Sequence, residues 1–149
     1  MSFRSTKTYE HSEGISACFR QWRAGHSHCR FLHGYALSFK LTFAAFELDE
    51  RGWVMDFGGL KEIKAWLKDT FDHKTVVAAD DPELDSFRAL DDAGMIQLVI
   101  LDDGVGCERF ARHVYDYVTQ WLVENNPRVR IVEVECREHG GNSAAWSDL

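Results

Sequence analysis

The run Cys29-Arg30-Phe31-Leu32-His33-Gly34-Tyr35-Ala36-Leu37-Ser38-Phe39-Lys40-Leu41-Thr42-Phe43 decides how this chain is read. From Tyr35 onward the residues Tyr35, Leu37, Phe39, Leu41 and Phe43 share one parity, while Ala36, Ser38, Lys40, Thr42 and Ala44 take the other. A two-residue period places alternate side chains on opposite faces of a strand, so this is a half-buried strand with one apolar face. His33 has the parity of Tyr35 and enters the sheet on that covered face. A histidine close to the Cys29 thiol is the pairing from which a metal ligand beside a nucleophile or proton-transfer group is made.

Working outward, residues 3 to 10 and 14 to 21 read either as a strand pair or as one strand bulged at Gly14. Beyond the central strand, which runs to about Phe46, the polar turn Glu47-Leu48-Asp49-Glu50-Arg51-Gly52 predicts that Trp53-Val54-Met55 returns antiparallel. Phe57, Leu60, Ile63, Leu67 and Phe71 fall on one helical face, with Asp56 as the cap. The acidic stretch from Thr75 to Asp92 has no clear period and reads as a loop with short ordered pieces. Met95 to Leu101 is strand-like. Phe110, Val114, Tyr117, Val118, Trp121 and Leu122 mark a second helix, ended by Asn125-Asn126-Pro127, and Val129 to Arg137 is the closing strand. The pattern is α+β, with two helices on one face of a mostly antiparallel sheet.

The 149 residues suit one domain, 1–149, and the 45% apolar fraction can fill its core. A net charge of −7 argues against sequence-independent nucleic-acid binding, which needs a basic surface. No stretch approaches the ~20 apolar residues of a membrane span, and the start Met-Ser-Phe-Arg-Ser-Thr-Lys does not read as a leader, so a soluble, cytoplasmic protein is expected. Cys18, Cys29, Cys107 and Cys136 have no zinc-ribbon spacing and read as free thiols.

The order Cys29-x-x-x-His33-Gly34, Trp53-Val54-Met55-Asp56-Phe57-Gly58-Gly59-Leu60-Lys61, Asp72-His73 and Arg137-Glu138 resembles the 6-pyruvoyltetrahydropterin synthase and 6-carboxytetrahydropterin synthase family. The resemblance implies the tunnelling fold (T-fold): a four-stranded antiparallel sheet with two helices on one face, assembling into barrels whose active sites are shared between subunits. A homo-oligomer is expected, a hexamer built from two trimers. The resemblance also implies a small-molecule pterin substrate, dihydroneopterin triphosphate or a relative, and carbon–oxygen lyase or side-chain-cleaving chemistry.

In that family three histidines hold zinc. Here His33 matches one of them, Tyr35 stands at the second position, and Phe19 stands at the third when Ala17-Cys18-Phe19-Arg20 is aligned by its arginine. A shift of one residue puts Cys18 there instead. Neither Phe nor neutral Tyr is an ordinary zinc ligand, so zinc is expected to be substoichiometric or to recruit His26 or His28. The resemblance assigns Cys29 to proton transfer at the substrate side chain, with Asp72 and His73 assisting it. A carboxylate beside a histidine fixes the imidazole's tautomer and orientation.

Glu138 shares parity with Val132, Val134 and Cys136, which brings a carboxylate to the end of a core face. The matching family glutamate anchors the pterin, whose ring edge offers two adjacent N–H donors to one carboxylate. Glu108, at the start of the second helix, is accounted for by the helix dipole. A second reading is a non-catalytic pterin- or purine-binding T-fold paralogue that has lost the zinc site.

Overall fold

The computed structural model describes residues 1–148. Seven strands form one mixed sheet: β1 (Phe3–Tyr9), β2 (Ile15–Phe19), β3 (His33–Ala45), β4 (Lys74–Ala78), β5 (Leu98–Leu101), β6 (Arg130–His139) and β7 (Asn142–Ser147). Their order is β5-β4-β2-β3-β6-β7, with β1 also paired to β3 beyond the end of β2. Three helices accompany them, α1 (Lys61–Phe71), α2 (Leu84–Asp92) and α3 (Cys107–Asn125). The α+β class holds, but the four-stranded sheet and the pair of helices are corrected. β1, β2 and β6 pair antiparallel with β3, β7 pairs antiparallel with β6 as a strand not expected from the sequence, and β4 and β5 extend the sheet, with β4 parallel to both β2 and β5.

The additions come from segments whose pattern is weak for physical reasons. In β4 every residue from Thr75 to Ala78 is buried, and a strand covered on both faces shows a continuous apolar run instead of alternation. Only Phe87 of α2 is buried, so no stripe marks that helix. The edge strand β7 is mostly small, exposed residues after the Gly140-Gly141 turn. Residues 53 to 55 are not a strand. The carbonyls of Glu47 and Val54, which a strand partner would use, accept from the Arg128 guanidinium at 2.5 and 2.7 Å.

The core lies between the sheet and helices α1 and α3. Leu37, Phe39, Leu41 and Phe43 of β3 meet Ile63, Leu67 and Phe71 of α1 and Phe110, Val114 and Val118 of α3, all fully buried. Phe71 is the keystone, 5.1 Å from the Phe39 ring and 5.2 Å from Phe110. Truncating it to alanine is expected to cost about 3–5 kcal/mol. Asp56 Oδ1 accepts from the Gly58 amide at 2.9 Å and so opens the short 3₁₀ turn that leads into α1. This core fixes the C-terminal end of α1, the end of β2, the start of β3 and the end of β6, where the candidate site residues lie.

Candidate active site

β2 and β3 pair with Phe19 opposite His33, Cys18 opposite Gly34 and Ala17 opposite Tyr35. The approach is tight. A Cβ on Gly34 would stand 2.9 Å from the Ala17 carbonyl oxygen, so only glycine fits between the two flanking side chains. The Phe19 ring lies 6.2 Å from His33 and 6.0 Å from Tyr35, and those two rings are 5.2 Å apart. Cys18 faces away and exchanges a hydrogen bond with Thr75 Oγ1 at 3.2 Å. The Phe19 alignment, rather than the Cys18 one, therefore describes the cluster.

The hydrogen bonds of His33 define its tautomer. Nδ1 lies 2.6 Å from the Phe31 carbonyl oxygen, which can only accept, so Nδ1 carries the proton. Nε2 is then the acceptor, and the Tyr35 hydroxyl donates to it at 3.0 Å. Zinc would need three lone pairs from His, Cys, Asp or Glu side chains. Phe19 offers none, both His33 nitrogens are engaged, and the Tyr35 hydrogen occupies the lone pair a metal would take. His26 and His28 stay exposed in the loop before Cys29, with the His28 ring 6.2 Å from Phe31. Among the described residues no three His, Cys, Asp or Glu side chains gather closely enough to hold a metal. The residues present do not fit the family's zinc ion.

Beside this cluster a cleft of about 430 Å³ is lined by Gln21, Cys107, Glu108, Glu138, Asn142 and Ser143. That volume lies in the range of ~300–1,000 Å³ usual for small-molecule sites. Glu138 is half-buried, and its Oε1 accepts from Asn142 Nδ2 at 3.1 Å. Gly106, at φ 116°, lets the start of α3 approach Gln21, whose side chain would be 3.4 Å from an added Cβ. A hydrogen bond from the Cys136 thiol holds the Cys107 pKa below its ordinary value, while burial pushes Cys136 well up. Burial, followed by the negative potentials of Glu138, Cys29 and Cys107, raises the Tyr35 phenol. Tyr35 thus stands within the field of both the thiol and the carboxylate.

Asp72 and His73 occupy the turn after α1. Asp72 Oδ1 accepts from His73 Nδ1 at 2.9 Å and from the Ser16 amide at 3.1 Å, and the His73 amide donates to the Ser16 carbonyl at 2.6 Å. This turn holds His73 at φ 60°, the left-handed region, with its ring 79% exposed and Nε2 outward. Cys29 sits at the other end of β2, where its carbonyl accepts from the Gln21 amide at 2.8 Å. From Ser16 to Phe19 alone the strand covers about 10 Å at ~3.3 Å per residue. Within one chain, then, Cys29 and Glu138 each act on the Tyr35 phenol, and the Asp72–His73 pair stands at the other end of β2.

The family model described as 6-pyruvoyl tetrahydropterin synthase matches residues 8–148. The chain belongs to this family of enzymes. A 6-carboxy-5,6,7,8-tetrahydropterin synthase of Rickettsia felis is 39% identical over 62 residues, 40% of this chain, and the chain spans 45% of that relative's length. The Aquifex aeolicus protein of the same name is 24% identical over 123 residues, 80% of this chain and 76% of that one. In fold, the chain is similar to an uncharacterized Wolinella succinogenes protein, at TM-score 0.81 and 17% identity over 100% of this chain and 99% of that one. It is also similar to 6-pyruvoyl tetrahydropterin synthase of Plasmodium falciparum, at TM-score 0.70 and 15% identity over 99% and 98%.

Three residues in or beside this cleft were not singled out from the sequence as candidates. Tyr35 was read only as an absent ligand, although its hydroxyl and its parity with His33 were both legible. Glu108 was explained by the helix dipole, yet it lines the cleft of Glu138. Cys107 carried no signal by spacing, because its partner Cys136 is on a different element.

Proposed function

We propose that this chain is a pterin enzyme that eliminates from or cleaves the side chain of dihydroneopterin triphosphate or a related pterin, in a site completed by a neighbouring copy. The observation that carries the reading is the Glu138 carboxylate in a small-molecule-sized cleft, with Glu138 and Cys29 both within electrostatic reach of the Tyr35 phenol. The Glu138 carboxylate takes the two N–H donors of the pterin edge, a charge-assisted pair that a neutral ring-binding residue cannot match. With the ring held there, its side chain extends toward Tyr35 and Cys29. The Cys29 sulfur takes or returns a proton at the side-chain carbon. The outward Nε2 of a neighbour's His73, oriented through Nδ1 by Asp72, accepts or donates the second proton at the side-chain oxygen.

The separation of Cys29 from Asp72–His73 supports a site shared between copies, and so does the exposure of the His73 ring. β1, β5 and β7 each pair on one side only among the described residues, leaving three open strand edges. Phe3, Trp53 and Phe57, each 42–52% exposed, border a cleft of about 530 Å³ under β1. Those features favour a homo-oligomer, which we take to be the hexamer of two trimers.

Complementation tests the shared site. Cys29→Ala and His73→Asn chains, each inactive alone, are expected to regain turnover when co-expressed as mixed oligomers. Mixed oligomers as inactive as their parents would exclude a site built from two chains. The non-catalytic binding reading is favoured by one observation, the missing metal donors. It prevails if the wild type binds pterins through Glu138 and converts none of them.

A further inference from the structure

Building on the pterin reading, we infer that this chain has exchanged the family's metal centre for a metal-free hydrogen-bonding centre, in which the Tyr35 oxygen, held by His33, receives a hydroxyl of the substrate side chain. Two independent observations carry it. The first is the chain of bonds His33 Nδ1–H to the Phe31 carbonyl and Tyr35 O–H to His33 Nε2, at 2.6 and 3.0 Å. A neutral imidazole with its Nδ1 proton committed can only accept at Nε2, so the single Tyr35 proton is committed too. The Tyr35 oxygen is left with its lone pairs, as an acceptor.

The second observation is packing. The Phe19 ring, 2% exposed, closes the third side of the cluster with carbon where another donor would be required. Phe19 also stacks edge-on with Phe110 at 4.9 Å, which ties its rotamer to the core. The cluster is therefore a finished hydrogen-bonding unit.

A substrate consequence follows from the polarity of the bond. An acceptor-only Tyr35 oxygen takes a group that brings its own hydrogen, an alcohol, and gives nothing to a carboxylate or a ketone. A metal ion makes no such distinction, because alcohol, ketone and carboxylate oxygens all offer it lone pairs. The site thus selects a hydroxylated side chain over an oxidised one. This discrimination is a property of Tyr35 and His33, separate from ring recognition by Glu138.

Three measurements on the full chain test this. In the wild type, long-range proton–nitrogen NMR of the His33 imidazole is expected to report a protonated Nδ1 and an accepting Nε2, both unmoved by equimolar zinc. Displacement of the Nε2 resonance by zinc, with one ion bound per chain, would overturn the metal-free centre. The double substitution Phe19→His with Tyr35→His rebuilds three imidazoles around the cluster and is expected to bind one zinc per chain. A folded double variant that binds none would show that the three positions do not converge, and if it does not fold the wild-type NMR decides. Finally, fluorescence titration is expected to give tighter binding of neopterin than of 6-carboxypterin. Tyr35→Phe should erase that preference by weakening neopterin roughly 2- to 12-fold, the span of one neutral hydrogen bond. Unchanged neopterin affinity in Tyr35→Phe would overturn the Tyr35 contact. Failure of the wild type to bind any pterin would overturn the pterin reading and the side-chain contact with it, whereas the metal-free centre stands or falls on the zinc measurements.

Discussion

Asp72 and His73 are locked to one another by a 2.9 Å bond from His73 Nδ1 to Asp72 Oδ1, and the same oxygen anchors the pair to the Ser16 amide of β2. The left-handed backbone at His73 costs on the order of 1–3 kcal/mol for a residue with a side chain, and the three hydrogen bonds of the turn offset it. What the arrangement secures is an outward Nε2 of defined tautomer.

Asp72→Ala should leave the chain folded, at a cost of about 1–3 kcal/mol for the lost bonds to His73 and Ser16, and lower kcat by roughly 10²–10⁴-fold, the usual worth of a positioned acid–base group. His73→Asn, which also tolerates the left-handed conformation, should do the same. Steady-state kinetics with circular dichroism on each variant checks both halves. A normal kcat in both would remove the pair from the mechanism.

A second consequence concerns stability against acid. Asp81, with a side chain 1% exposed, takes the Arg20 guanidinium in two bonds at 2.8 and 2.5 Å and also caps Glu83 through its amide at 2.8 Å. Burial pushes the Asp81 carboxyl up, but the Arg20 bonds and the Glu83 amide outweigh it and leave the pKa below its ordinary value. An acid with a lowered folded pKa stabilises the protein above its unfolded value of about 3.9, and that stability is lost as pH falls through the folded pKa. Denaturant titrations from pH 7 to 3 should show a late acid loss that Asp81→Asn removes. At pH 7, Asp81→Ala should cost about 3–5 kcal/mol, because it strands a half-buried guanidinium.

Gly34→Ala tests how the two strands place the cluster. Its Cβ would meet the Ala17 carbonyl at 2.9 Å, and backbone cannot swing aside as a side chain can. The expected loss is about 1–3 kcal/mol in urea unfolding, with disturbance of the His33–Tyr35 bond. A stable variant with an unchanged His33 NMR signature would show that β2 and β3 have more room than this geometry gives them.

Strong periods were legible where one face is buried and the other wet, as in Tyr35 to Phe43, the α1 stripe and the α3 stripe. They were not legible in β4, where Val76, Val77 and Ala78 are covered on both faces, nor in β7, where little is buried at all. The Asp56 cap was readable because an acid preceding an apolar helical run has one economical use. The Arg128 contacts that abolish the Trp53 strand were not, since a guanidinium reaching back 74 residues to Val54 leaves no local trace. Cys29, His33, Asp72, His73 and Glu138 were singled out as candidates through motif order. Their division into two groups at opposite ends of β2 needed the register, which motif order does not contain.

The central claim is that Glu138 anchors a pterin ring, and titration of neopterin into the wild type and Glu138→Gln, followed by pterin fluorescence, tests it most directly. The carboxylate accepts at both oxygens, whereas the amide presents one acceptor and one clashing donor. Loss of a hydrogen bond to a charged group is worth about 1.5–3 kcal/mol. Glu138→Gln should accordingly bind roughly 10- to 150-fold more weakly, while Cys29→Ala binds as the wild type does. Equal affinity of Glu138→Gln and wild type would contradict the account, because the ring would then be held elsewhere.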